Sequence, residues 1–340
     1  MPSITTHGKP NHPLKDIVPP TVLPKAAIHP DAEEIDREVV TYLVNTWEWP
    51  SEKHKQGFIS WKLSDVVLFM FPTGETSRVK LATELLLLGF LMDDWFDHHP
   101  LAESSLVVSR LQSLLSSTTF SDSTSPLTTT IDRMHASLFA RILAVPSPRD
   151  SSRRVLEAYM AMLACHCESS RGTGAVSAVL GDYLAFRETD VGMPICAELL
   201  YWTEPDLDEA LGELERAAPR PLDRVANYHV SILNDVFSFE REWKAARALE
   251  EGAVLVNGVA VLAKEANLSV HAARQLCLGL VRAWEVEFLS MSEELLGSCG
   301  LDGQGEASRL DGNLIRRAVK GIERRMTGAE AFSWRTSRYL

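Results

Sequence analysis

At 340 residues and 45% hydrophobic content, the chain can bury a substantial core as one large domain or two smaller ones, which excludes a disordered tail. A formal net charge of −12 excludes a general electrostatic binder of nucleic acid or of anionic membrane surfaces, so a phosphate-bearing ligand must be met by a few placed basic residues. Five cysteines, an odd number without framework spacing, fit a reducing compartment.

Residues 1–30 are proline-rich and aperiodic, and they read as an extended arm with no apolar segment of the kind a secretory signal needs. The longest apolar run, Leu85 to Met92, is too short to span a bilayer, so a cytoplasmic protein without stable membrane insertion, monomeric or homodimeric, is expected. Ile35, Val39, Tyr42, Leu43 and Trp47 predict a helix over 31–49, ended by Pro50. A second helix is predicted over 54–70, then a turn at Phe71-Pro72-Thr73-Gly74 with Thr76 or Ser77 as a cap for the next helix.

That next helix, 77–97, is apolar on most sides and ends in Asp93-Asp94-Trp95-Phe96-Asp97. Asp93 and Asp97 lie one turn apart on one face, with Asp94 close by. Three carboxylates at a helix C-terminus repel one another and oppose the macrodipole, so divalent cations would stabilise them. A solvated helix end would carry the same residues at little cost.

A Ser/Thr-rich excursion is expected over 115–130, followed by helices over 131–144 and 152–169. Cys165-His166-Cys167 lacks a second ligand pair and does not read as a zinc site. Tyr183, Arg187 and Asp190 share a face at i, i+4 and i+7, and Gly192 and Pro194 should break that helix and free carbonyls near Val191 and Gly192. Taken alone, Arg187 beside Glu188 reads as a surface ion pair.

The helix predicted over 222–245 is introduced by Pro221 and Asp223. Within it Asn234, Ser238 and Glu242 recur at i, i+4 and i+8 and form one stripe, at about 100° per residue. Val230, Leu233 and Phe237 beside the stripe, with Ile232, Val236 and Phe239 opposite, predict a helix buried nearly all round. Burying an amide, a hydroxyl and a carboxylate together is costly without partners. These hard oxygen donors suit Mg2+, which commonly shares carboxylates with a substrate phosphate. A polar network that only fixes helix register would use the same residues.

Helices over 248–266, 269–297 (capped by Ser269) and 308–328 complete the chain, with a Gly-rich loop at 297–305. With no alternating strand pattern and no internal repeat, the chain reads as all-α.

The pairing of Asp93-Asp94-x-x-Asp97 with Asn234-Asp235-x-x-Ser238-x-x-x-Glu242 resembles the class I terpene synthases, specifically the microbial and fungal sesquiterpene cyclases, over roughly residues 35 to 340. The resemblance implies an α-helical bundle around a central apolar cavity, with residues 31–340 as a single α-domain behind the arm. It implies three Mg2+ ions held by Asp93, Asp97, Asn234, Ser238 and Glu242, with Asp94 and in part Asp97 acting through water and charge. It also implies Arg187 as a diphosphate sensor linked to Asp190, Arg241 as a further diphosphate contact, and Arg338-Tyr339 at an exposed chain end as the pair that closes over diphosphate.

The implied substrate is farnesyl diphosphate, ionised to release diphosphate and cyclised to a sesquiterpene hydrocarbon or alcohol. Phe90, Phe186, Phe332 and Trp334 are candidate cavity rings, each also readable as ordinary core; a ring face stabilises a cation by roughly 0.5–2 kcal/mol. Bacterial relatives usually carry Trp six residues before the terminal arginine, where this chain has Phe332, with Trp334 nearby. An isoprenyl chain-elongating synthase would instead carry a second Asp-rich motif at 234–242, and a non-catalytic scaffold of the same fold would release no diphosphate.

Overall fold

The computed structural model describes residues 12–116, 129–147, 150–169, 179–216, 220–248, 255–301 and 312–339, and among them the regular elements are all α-helices. After the arm come α1 (Ala32–Thr46), α2 (Glu52–Trp61) and α3 (Ser64–Met70). The single helix expected over 54–70 is therefore two. Lys62 adopts a left-handed conformation, φ 53°, at the C-terminus of α2, a backbone state uncommon outside Gly and Asn and not signalled by Gly or Pro at the break.

Helix α4 (Thr76–Phe96) matches the expected apolar helix, but neither Thr76 nor Ser77 caps it. Glu75 is the N-cap residue, while the Thr76 hydroxyl donates to Asp31 and the Ser77 hydroxyl to Glu75, each at 2.6 Å. Then follow α5 (Leu101–Ser116), α6 (Thr130–Leu143) and α7 (Ser151–Ser169). The expected excursion at 115–130 falls largely outside the described residues. Thr129 and Asp132 close α6 with reciprocal side-chain caps.

Helix α8 (Leu180–Asp190) stops where expected, and α9 (Met193–Thr203) starts immediately after. Gly192 takes φ 81° at the junction, and a Cβ there would stand 2.8 Å from the Met162 sulfur, so the break needs glycine for both conformation and space. Beyond α10 (Pro205–Arg216), α11 (Arg220–Ala248) contains the polar stripe. Helix α12 (Gly258–Glu265) is shorter than the helix expected over 248–266, of which 249–254 lies outside the described residues. Helix α13 (Val270–Leu301) begins at Ser269, whose hydroxyl accepts the Ala272 N–H at 3.2 Å, and it runs into the stretch expected to be a Gly-rich loop. Helix α14 (Gly312–Arg335) leads to the C-terminus.

Helix α4 packs on α1, α3, α6, α7 and α9, and α11 packs on α8, α9, α12, α13 and α14, so that α9 touches both. The chamber is lined from α4 on one hand and α11 on the other, with residues of α3, α7, α8, α9 and α14. Ile232, Leu233, Val236, Phe237 and Phe239 are all buried, as are Ser231, Asp235 and Ser238, so the middle of α11 is enclosed on nearly every side, whereas Glu240 and Trp243 beyond it are exposed.

The arm is folded onto this bundle. Leu14 and Leu23 are buried, and the His12 ring sits 5.4 Å from Phe237 and 4.9 Å from Trp334. Arg282 donates to the Pro19 carbonyl, and the Val22 N–H donates to Glu285 at 2.9 Å. Among the described residues no helix is long and apolar enough to cross a membrane.

Candidate active site

A chamber of about 320 Å3 lies between α4 and α11. Its walls include the apolar side chains of Met70, Leu86, Phe90, Met162, Met193, Cys196, Val230, Ala329 and Phe332. Its mouth is polar, formed by Asp93, Asp97, Arg187, Asn234, Ser238, Arg241, Glu242, Arg338 and Tyr339. The two acidic or polar clusters, separated by some 140 residues of chain and carried on different helices, thus open onto one cavity.

On the α4 side the carboxylates are crowded. Desolvation, followed by repulsion from Asp93 and Asp94, pushes the Asp97 carboxyl up to about 7. Burial also opposes charge on Asp94, but the Arg338 guanidinium overcomes it and holds that carboxyl below its ordinary range. Arg338 grips Asp94 with both terminal nitrogens, at 2.7 and 3.1 Å, and lies 3.7 Å from Asp93. Its side chain is only 2% exposed, because it is sandwiched over the rings of Trp61 and Phe90, 4.7 and 5.5 Å from their centroids. The expected exposed chain end is therefore a buried one.

On the α11 side Asn234 joins two of the expected diphosphate contacts. Its carbonyl oxygen accepts Arg187 Nη2 at 2.9 Å, and its amide donates to the Tyr339 hydroxyl at 2.8 Å. Arg187 is buried, so it is no surface pair with Glu188. It bonds Asp190 through Nη1 and Asp235 through Nε at 3.0 Å. Burial works against its charge, and Asp235 and Asp190 more than offset that, shifting its pKa upward. The Asp190 carbonyl, freed by the break before α9, accepts from His166 Nε2, while His166 Nδ1 lies 3.7 Å from Asp93.

Asp235 was read from the sequence only as part of the motif. It is fully buried and accepts from the Tyr183 hydroxyl at 2.7 Å, from Arg187 and from the Gly258 N–H at 2.8 Å. Burial raises its carboxyl to about 6 against the pull of Arg187. Asn257 was missed altogether: its amide donates to Glu242 at 2.8 Å and to the Asp235 carbonyl at 2.9 Å. An Asn before an apolar run signals a helix cap, but nothing in the spacing points to Glu242. Trp61, under Arg338, carried no sequence signal either.

The donors fit a divalent cation. Ser238 is 1% exposed, and its hydroxyl has no hydrogen-bond partner among the described residues. A buried hydroxyl left in that state costs about 1–3 kcal/mol. Asp93, Asp97, Asn234, Ser238 and Glu242 together offer hard oxygens at one mouth, the donor chemistry of Mg2+-like ions. Arg241 has an Nε without a partner among the described residues and lies 4.0 Å from Asp94, a cation available to an anionic ligand.

Two of the four candidate rings are misplaced by the sequence reading. Phe90 and Phe332 line the chamber, but Phe186 and Trp334 do not. Phe186 lies beside Tyr183 at 6.5 Å, turned about 100° from Arg187 on α8. Trp334 is two residues past Phe332, about 200° round α14, and packs edge-on against Phe237 and His12 instead.

Known proteins share both sequence and fold. The family profile described as "Terpene synthase family 2, C-terminal metal binding" matches residues 84–286. The aristolochene synthase of Aspergillus terreus is 29% identical over 322 residues, covering 94% of each chain. That of Penicillium roqueforti is 28% identical over 324 residues, covering 95% of this chain and 89% of its own. The crystal structure of aristolochene synthase from Penicillium roqueforti superposes with a TM-score of 0.71 at 25% identity, over 93% of this chain and 98% of that one. With a match from the Asp-rich helix through the polar stripe and an all-α bundle around the chamber, the chain belongs to the metal-binding terpene synthases of family 2.

Proposed function

We propose that this protein is a Mg2+-dependent sesquiterpene cyclase that ionises farnesyl diphosphate and cyclises the resulting cation. The observation that carries the reading is the pairing of the Asp93 and Asn234 clusters at the mouth of one apolar chamber, where the buried Ser238 hydroxyl of the Asn234 cluster has no partner among the described residues. Relatives named aristolochene synthases support the sesquiterpene class. The catalytic unit is the α-domain of residues 31–340, with the arm as its strap.

In this reading Asp93, Asp97, Asn234, Ser238 and Glu242 would hold three Mg2+ ions. Such ions would supply neutralisation of the charge developing on the departing diphosphate. Arg187, Arg241, Arg338 and Tyr339 hydrogen-bond the diphosphate oxygens, and arginine's planar fork suits that geometry. As the C–O bond breaks, its electron pair leaves with the diphosphate and an allylic cation remains in the chamber. The apolar walls keep water from that cation, and the faces of Phe90 and Phe332 stabilise it by roughly 0.5–2 kcal/mol each.

Incubation with farnesyl diphosphate as sole substrate, followed by product analysis by mass, tests this. A C15 product and diphosphate release that require Mg2+ are expected. A requirement for a second isoprenyl diphosphate would mean chain elongation, and no release under any metal would mean a scaffold without activity.

A further inference from the structure

We infer that Asn257 is a positioning residue that fixes the Glu242 carboxylate at the chamber mouth and ties it to the start of α12. The inference rests on Glu242 being a cation ligand, as proposed above. Asn257 is fully buried, and its amide is used at both ends. Its carbonyl oxygen accepts the Val259 N–H at 2.9 Å and so caps α12, which is the ordinary work of an Asn at that position. Its nitrogen donates to Glu242 Oε2 at 2.8 Å and to the Asp235 carbonyl at 2.9 Å, contacts that capping does not need.

The segment around it is clamped to α11. The Gly258 N–H donates to Asp235 at 2.8 Å, and a Cβ at Gly258 would stand 2.6 Å from Ile232 Cδ1 and 2.8 Å from the Asp235 carboxylate. Leu255 and Val256, just before it, line the chamber. A glutamate on an open helix face samples several rotamers, whereas one oxygen of Glu242 is pinned by a donor that cannot itself move. The other oxygen is left for a ligand. Outer contacts of this type typically contribute 10- to 100-fold to metal affinity.

Asn257→Ser and Asn257→Asp separate this role from capping. Both keep a good N-cap acceptor for α12, and neither can donate to Glu242: serine is too short, and aspartate repels it. Mn2+ binding to the full chain in the presence of inorganic diphosphate, read by electron paramagnetic resonance, should weaken about tenfold or more in both variants with helicity unchanged. The Mg2+ concentration for half-maximal turnover should rise by the same factor, while turnover at saturating Mg2+ falls by less. Mn2+ affinity within twofold of the parent in both variants overturns the inference and leaves the cation site standing. Failure of the parent itself to bind Mn2+ with diphosphate overturns the cation-site reading and this inference together.

Discussion

Asn234 shows how a single side chain can serve two elements: it contacts Arg187 of α8 and Tyr339 at the C-terminus while sitting in the stripe with Ser238 and Glu242. Asn234→Ala or Glu242→Ala should therefore abolish turnover, by roughly 10²–10³-fold or more, with far-UV circular dichroism unchanged; retained turnover in millimolar Mg2+ would contradict the metal assignment. Arg338→Lys keeps the charge but cannot span both oxygens of Asp94. Losing in the same way one charge-assisted hydrogen bond to the departing diphosphate, about 1.5 kcal/mol or more, should lower kcat about tenfold, measured by diphosphate release. At this scale the sequence was readable where spacing alone carried the signal. Asn234, Ser238 and Glu242 were legible because i+4 steps must share a face. Asn257 and Trp61 were not, because their partners lie 15 residues away for Glu242 and at the far end of the chain for Arg338.

At the scale of elements, the break between α8 and α9 was visible as Gly192 and Pro194, since few other residues end a helix so abruptly. The break between α2 and α3 was not, because a lysine holds the left-handed conformation there. Gly192→Ala should be unfavourable twice over, through its φ of 81° and through contact with Met162. The conformational part alone is about 1–2 kcal/mol. Because Arg187 and Asp190 sit one turn before the break, turnover should fall by more than the lowered melting temperature explains. Equal activity at equal folded fraction would show that the break does not position Arg187. Ring placement failed for the same reason of scale: Trp334 and Phe332 are neighbours in sequence but face opposite sides of α14.

Across the whole molecule, the arm packs against α11, α13 and α14 through His12, Pro19 and Val22. Its anchor is a cluster of the buried His229 and Glu285 with the part-buried Glu330, whose acidic groups come close enough to hold a metal but are already met by Arg282. Deleting residues 1–23 should remove the burial of Leu14 and Leu23, about 1.5–3 kcal/mol each, and lower the melting temperature while leaving the Mg2+ dependence of the remaining activity unchanged. Bound ligand should work in the other direction: Mg2+ and inorganic diphosphate together should raise the melting temperature more than the sum of either alone, since each completes the other's site. The all-α class was readable from the sequence because no segment alternates, yet the enclosure of α11 by five helices depends on contacts between distant segments that no local pattern encodes.

The central claim is that the α4 and α11 clusters hold cations jointly over one chamber. A crystal grown with Mn2+ and inorganic diphosphate tests it most directly through its anomalous difference map. Manganese peaks within bonding distance of Asp93 on one side and of Asn234, Ser238 and Glu242 on the other are expected, with diphosphate between them. Manganese bound anywhere else, with the Ser238 hydroxyl still unpartnered, would contradict the account.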